Sequence, residues 1–168
     1  MKNGLIIADA SPIFSLALVE RLDLLELLFD EVKIPEAVWA EITLDEQVRY
    51  YPAIRDFFAQ RRSAIQGTND LRLLMDSGES EAVTLYRELS ADFLLIDDRK
   101  ARKLAEALDV NCIGTLGLLL SAKDKGMVPA LRPIFVTFLA NSRYFSLPLL
   151  NRLLKENEEE EIEDTRDG

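Results

Sequence analysis

The chain contains no histidine and a single cysteine, Cys112. The first absence excludes histidine-based catalytic triads, His-ligated metal sites and ordinary imidazole acid–base catalysis. A lone cysteine cannot close an internal disulfide, so a reducing cytoplasm is the expected compartment, and Cys112 reads as a small packing residue in a strand. Long apolar runs are also missing. Stretches such as Leu116 to Leu120 are too short for a transmembrane helix, and no membrane partner is expected. Asp9 interrupts the opening Leu5-Ile6-Ile7-Ala8 well short of a signal-peptide core. The G-x-x-x-x-G-K stretch of a P-loop is absent as well.

What remains is a chain of 168 residues, 48% hydrophobic and 30% charged, enough to bury a sizeable core. Its net charge of −10 is unevenly spread. Residues 156–168 carry eight acids against Arg166 alone, a net −7, which leaves the rest nearly balanced at −3. The expectation is one domain over residues 1–155 followed by an acidic, solvated and disordered tail over 156–168.

Short, continuously apolar segments alternate with amphipathic ones. Strands are predicted over residues 4–8, 32–34, 92–96 and 111–113. Helices are predicted over 12–20 (with Ser11 as N-cap and Pro12 at the first position), 22–28, 35–48, 52–64, 79–89, 98–107, 115–125, 130–140 and 146–156. This alternation indicates a three-layer α/β/α fold around a short-stranded, mainly parallel sheet. The last two helices carry Leu131, Ile134, Phe135, Phe138, Leu147, Leu149, Leu150, Leu153 and Leu154. That apolar surface either completes the core or forms a homodimer interface.

In a parallel sheet, chemistry concentrates just outside the carboxyl ends of the strands. Asp9 follows the first strand, Asp97-Asp98 the third and Gly114-Thr115 the fourth. Such an acid also serves as a helix cap, but two strand ends bearing acids are harder to dismiss. Glu41 stands where the stripe of Ile34, Val38 and Ile42 predicts an apolar side chain. Glu79 and Glu81 flank the stripe of Ala82, Leu85, Tyr86 and Leu89 on opposite sides, and either one serves the site or both serve the helix dipole. Several carboxylates without histidine or cysteine partners suit a hard divalent cation, Mg²⁺ or Mn²⁺, whose bound water can attack a phosphodiester. Arg99, Lys100, Arg102 and Lys103 follow the acid pair directly. They form either a solvated helix face or a phosphate-neutralising patch. Thr115 opens a helix at the same sheet edge, where amide groups suit a phosphate or a plain N-cap.

Asp9-Ala10-Ser11, the helical Glu41, Gly78-Glu79-Ser80-Glu81-Ala82 and Ile96-Asp97-Asp98-Arg99 together resemble the PIN-domain superfamily of metal-dependent nucleases. The wording is closest to a predicted nucleic-acid-binding branch related to VapC-type toxins, and the resemblance covers roughly residues 4–128. It implies that Asp9, Glu41, Glu81 and Asp98 line a catalytic metal site for Mg²⁺ or Mn²⁺, with Asp97 close behind Asp98. Ser11 would support the site through its hydroxyl. Two departures stand out: Glu81 replaces the usual aspartate, and Ile96 occupies the place of a threonine. The resemblance implies a ribonuclease acting on RNA, the toxin of a toxin–antitoxin pair with a small antitoxin protein as partner, and a homodimer. The departures favour the alternative of a catalytically inactive module that binds nucleic acid or protein.

Overall fold

The apolar segments form four parallel strands, β1 (Leu5–Ala8), β2 (Glu31–Lys33), β3 (Phe93–Leu95) and β4 (Cys112–Ile113), in the order β2-β1-β3-β4. The computed structural model describes residues 2–143 and 145–165. Among these, the helices are α1 (Ala10–Leu18), α2 (Asp23–Leu28), α3 (Glu36–Ile42), α4 (Tyr51–Phe58), α5 (Ser77–Glu88), α6 (Arg99–Ala107), α7 (Thr115–Asp124), α8 (Arg132–Ala140) and α9 (Leu147–Glu156), with a 3-10 turn at Asp70–Leu73. The chain forms two compact units, Met1–Leu118 and Leu119–Gly168. No helix among the described residues is long and apolar enough to cross a membrane.

In the first unit the register pairs Ile7 with Leu94 and Ala8 with Leu95. Alternation along each strand therefore sends Ile7, Leu94 and Ile96 to one face. There they join Ala82, Val83 and Leu85 of α5 and Ala101 and Ala105 of α6 in one buried cluster. Ile6, Ala8 and Leu95 point to the opposite face and are fully buried as well. Right-handed crossovers carry α1 and α2 onto that second face, because β2 lies on one side of β1 and β3 on the other. The result is the expected three-layer α/β/α architecture.

Several element ends differ from the sequence reading. The first helix begins at Ala10 with Asp9 as its N-cap, not at Pro12 with Ser11 as cap. Proline is tolerated within a first turn, so Pro12 does not mark the boundary. Helix α3 stops at Ile42 instead of near Val48, since the Thr43 hydroxyl donates to the Trp39 carbonyl and Asp45 closes a turn on the Gln47 amide. Helix α4 stops at Phe58 because the following residues extend the sheet edge: Ile34 N–H donates to Arg61 O and Ser63 N–H to Ile34 O. At the opposite end of the sheet, Gly4 adopts φ +83°, and a Cβ there would overlap the Asp92 carboxylate that receives the Leu5 amide.

In the second unit the acidic stretch departs from a free tail at least as far as Ile162. The Glu159 carboxylate accepts the Leu131 and Arg132 amides at 2.9 and 3.0 Å and pairs with Lys123. It thereby caps the start of α8, where the backbone amides favour an anion. The Ile162 amide and carbonyl are both engaged by the Asn151 side chain, at 2.7 and 2.9 Å. Leu131, Phe135, Phe138, Leu150, Leu153 and Leu154 are buried, whereas Val136 is 41% exposed.

Candidate metal centre

β1 and β3 lie side by side, and the connections leaving them run to opposite sides of the sheet. The crevice outside their carboxyl ends is thus the switch point of the fold. Asp9 stands at the end of β1 with its amide bonded to Leu95 O at 2.9 Å. Its backbone is still extended (φ −85°, ψ 165°), so its side chain continues the alternation onto the Ile7 face, the face that α5 covers. Only 5% of Asp9 is exposed. Burial pushes its carboxyl up to about 7; the Ala10 amide hydrogen bond pulls the other way, and the charges of Glu79, Glu41 and Asp76 add to the rise.

The first turn of α5 supplies the opposite wall. Asp76 is its N-cap and accepts the Glu79 amide at 2.8 Å. The Glu79 carboxyl is raised to about 7 by burial first, then by Asp76 and Asp98. Glu41 on α3 is raised by burial and by Asp76. Between these acids lies Gly78, buried inside a helical turn. A Cβ at this position would sit 2.9 Å from Glu41 Oε2 and 3.6 Å from Asp9 Oδ1. Two carboxylates from different elements therefore converge on the space left by one missing side chain. Crowded hard-oxygen donors with raised pKa values are the donor set that a divalent cation relieves, so these residues fit Mg²⁺ or Mn²⁺. Among the described residues, no three acidic or cysteine side chains are already arranged to hold an ion.

A family model described as a PIN domain matches residues 5–159. The chain belongs to the PIN-domain family. PIN domains are generally metal-dependent nucleases that use divalent cations. No curated protein matches this one.

The PIN-domain resemblance implied further site residues, and they take varied positions. Asp98 caps α6 by accepting the Ala101 amide at 2.8 Å with one oxygen, and it lies near enough to Glu79 to raise that group's pKa. Its neighbour Asp97 is turned towards α7: its two oxygens accept the Thr115 amide at 2.8 Å and the Thr115 hydroxyl at 2.6 Å. Thr115, fully buried, thus gives its amide and hydroxyl to Asp97. Glu81 engages the start of α3, with Oε1 accepting the Ala37 amide at 3.2 Å. Glu79 is the acid of that pair coupled to Asp9. Ser11 lies half-buried in the first turn of α1, beside Asp9.

On α6, Arg99, Lys100 and Lys103 are exposed. Arg102 is half-buried and held by Glu106 at 3.0 Å and by the Cys112 carbonyl at 3.5 Å. The second basic pair is engaged elsewhere: Arg61 lies over the Phe57 ring and binds Glu26, and Arg62 lies over Trp39 and binds Glu36. Burial pushes the Cys112 thiol up to about 11, with Glu106 adding to the rise and Arg102 opposing it, which keeps it protonated and inert. In the sequence Asp76-Ser77-Gly78 reads as a break before a helix from Glu79; in the structure Asp76 is the N-cap of α5 and its charge bears on Asp9 and Glu79.

Proposed function

We propose that the protein is a Mg²⁺- or Mn²⁺-dependent ribonuclease in which Asp9, Glu41 and Glu79 hold the cation and Asp98 completes the acidic crevice. The observation that carries this reading is the convergence of Asp9 Oδ1 and Glu41 Oε2 on the space above Gly78, at the switch point of the sheet. Bound there, a divalent cation supplies charge neutralisation and an acidified water for in-line attack on a phosphodiester. The chain's own residues do the rest. Asp9, sunk in the crevice, keeps its side chain fixed by burial. Arg99, Lys100 and Lys103 line the helix capped by Asp98 and offset the repulsion between acids and an RNA backbone. Ser11 supports the site from the first turn of α1. Asp97 and Thr115 hold the start of α7 beside it.

We further propose, from the resemblance to VapC-type toxins, that the protein is the toxin of a toxin–antitoxin pair in the cytoplasm, neutralised by a small antitoxin and acting as a homodimer. A second reading is a PIN module that binds RNA or protein without cleaving. It is favoured by the engagement of Asp97 by Thr115 and of Glu81 by Ala37. A panel of structured and single-stranded RNAs incubated with Mn²⁺ or with EDTA separates the two. The ribonuclease reading expects metal-dependent cleavage that Asp9→Asn abolishes. Binding of Mn²⁺ with no turnover on any RNA would favour the inert module.

A further inference from the structure

The acid crevice occupies one flank of the first turn of α5; the other flank borders a cleft of about 450 Å³ that the metal chemistry leaves unused. Its walls include Asn69, Asp70, Arg72, Ser77 and Glu81. Ser77 opens on this cleft and the adjoining Gly78 on Asp9 and Glu41, so the two sites are separated by a single turn of helix. A strand crossing the α5 N-terminus would place a phosphate at the acids and a neighbouring base in the cleft.

We propose that this cleft is a base-reading subsite that takes guanine, at a nucleotide next to the phosphate handled by the Asp9 site. The inference rests on the ribonuclease reading. The cleft carries one cation and two anions that are not paired with one another: among the described residues Arg72 makes no ion pair, and the one hydrogen bond of the Glu81 carboxylate is from the Ala37 amide to Oε1. A ligand that answers both needs donors for the carboxylate and acceptors for the guanidinium. Guanine has both, with N–H donors on its Watson–Crick edge and the O6 and N7 acceptors that arginine reads. Adenine and cytosine lack the O6 and N7 acceptor pair that a guanidinium takes at two points, and uracil has no exocyclic amine. Asn69 spends its amide on the Ser80 hydroxyl at 2.9 Å and its carbonyl oxygen on the Thr84 hydroxyl at 3.3 Å, so it shapes the cleft without competing for the base. Ile65 gives the flat face of a base an apolar contact, and the volume lies within the range of small-ligand sites.

Labelled single-stranded hexanucleotides test this on metal-stripped protein, one of uridines only and others with guanine, adenine or cytosine at a central position. The wild type is expected to bind the guanine oligomer about tenfold more tightly than the uridine one. Arg72→Ala and Glu81→Gln should each reduce that preference to about threefold or less, with the uridine oligomer bound as before. Glutamine keeps the Ala37 hydrogen bond, so a folded Glu81→Gln protein is expected, and thermal unfolding checks it. No guanine preference, no measurable binding of any oligomer, or a preference that survives both variants would overturn the proposal. A Mn²⁺ titration of the same proteins separates the two claims. Loss of Mn²⁺ binding in Glu81→Gln makes Glu81 a metal ligand and removes the subsite. Guanine preference in a wild type that binds no Mn²⁺ keeps the subsite and removes the ribonuclease reading.

Discussion

Asp9 holds its proton more tightly folded than unfolded, since its pKa rises from 3.8 to about 7. Glu79 behaves alike, rising from 4.5 to about 7. For an acid shifted upward the sign is fixed: both groups favour the fold below their unfolded pKa, and that stability is lost as pH climbs from about 4 to about 7. Asp9→Asn removes the buried charge and keeps the shape. In metal-free buffer it should stabilise the protein at pH 8 by on the order of 3 kcal/mol and have little effect at pH 4. Urea unfolding at the two pH values measures this, and an equal effect at both would show that burial of the charge is not the cause. Gly78→Ala divides stability from function in the same way. Alanine improves the helix by about 1 kcal/mol, and the atom it meets is the mobile end of Glu41. Unfolding should therefore need equal or more denaturant, whereas Mn²⁺ affinity should fall as the cradle fills. A variant with unchanged metal affinity would contradict the role given to that space.

At the scale of elements, Asp97 and Asp98 are adjacent residues that anchor different helices. Asp97→Ala would leave the buried Thr115 amide and hydroxyl without their partner, at a cost of about 2–3 kcal/mol. Asp98→Ala removes one exposed cap and should cost about 1 kcal/mol. Chemical denaturation ranks the two, and a reversed order would mean that the Thr115 contact matters little. The strands and their acids were legible in the sequence because a buried parallel strand leaves a short apolar run that a single aspartate ends, as Ile7-Ala8-Asp9 and Leu95-Ile96-Asp97 do. Helix ends were less so. A helix from Pro35 is expected to run to about Val48, yet α3 ends at Ile42, where the Thr43 hydroxyl bonds the Trp39 carbonyl and Asp45 turns onto the Gln47 amide. The choice between Glu79 and Glu81 was equally closed to periodicity, which places them on opposite flanks of α5 but cannot say which flank meets Asp9. In the structure the charge of Glu79 bears on Asp9, whereas Glu81 accepts the Ala37 amide.

For the whole molecule, the net charge of −10 suggests poor affinity for RNA, but its distribution suggests otherwise. Much of the excess lies beyond residue 155, where Glu159 is held by Lys123 and the start of α8. Burial would raise the Glu159 carboxyl, but hydrogen bonds from Lys123, Leu131 and Arg132 outweigh it and leave the pKa lowered. The contact therefore strengthens the fold above the ordinary glutamate range and weakens as pH falls through the lowered value. Acids gathered from β1, α3 and α5 at one crevice are the property on which the functional reading depends. The most direct test is a calorimetric Mn²⁺ titration of metal-stripped protein at pH 6 and pH 8, with Asp9→Asn and Glu79→Gln alongside. The account predicts a saturable site in the wild type, tighter at pH 8, with protons released on binding at pH 6 and with the site lost in both variants. A folded wild type that binds no Mn²⁺ at pH 8, or an Asp9→Asn isotherm matching the wild type, would contradict it.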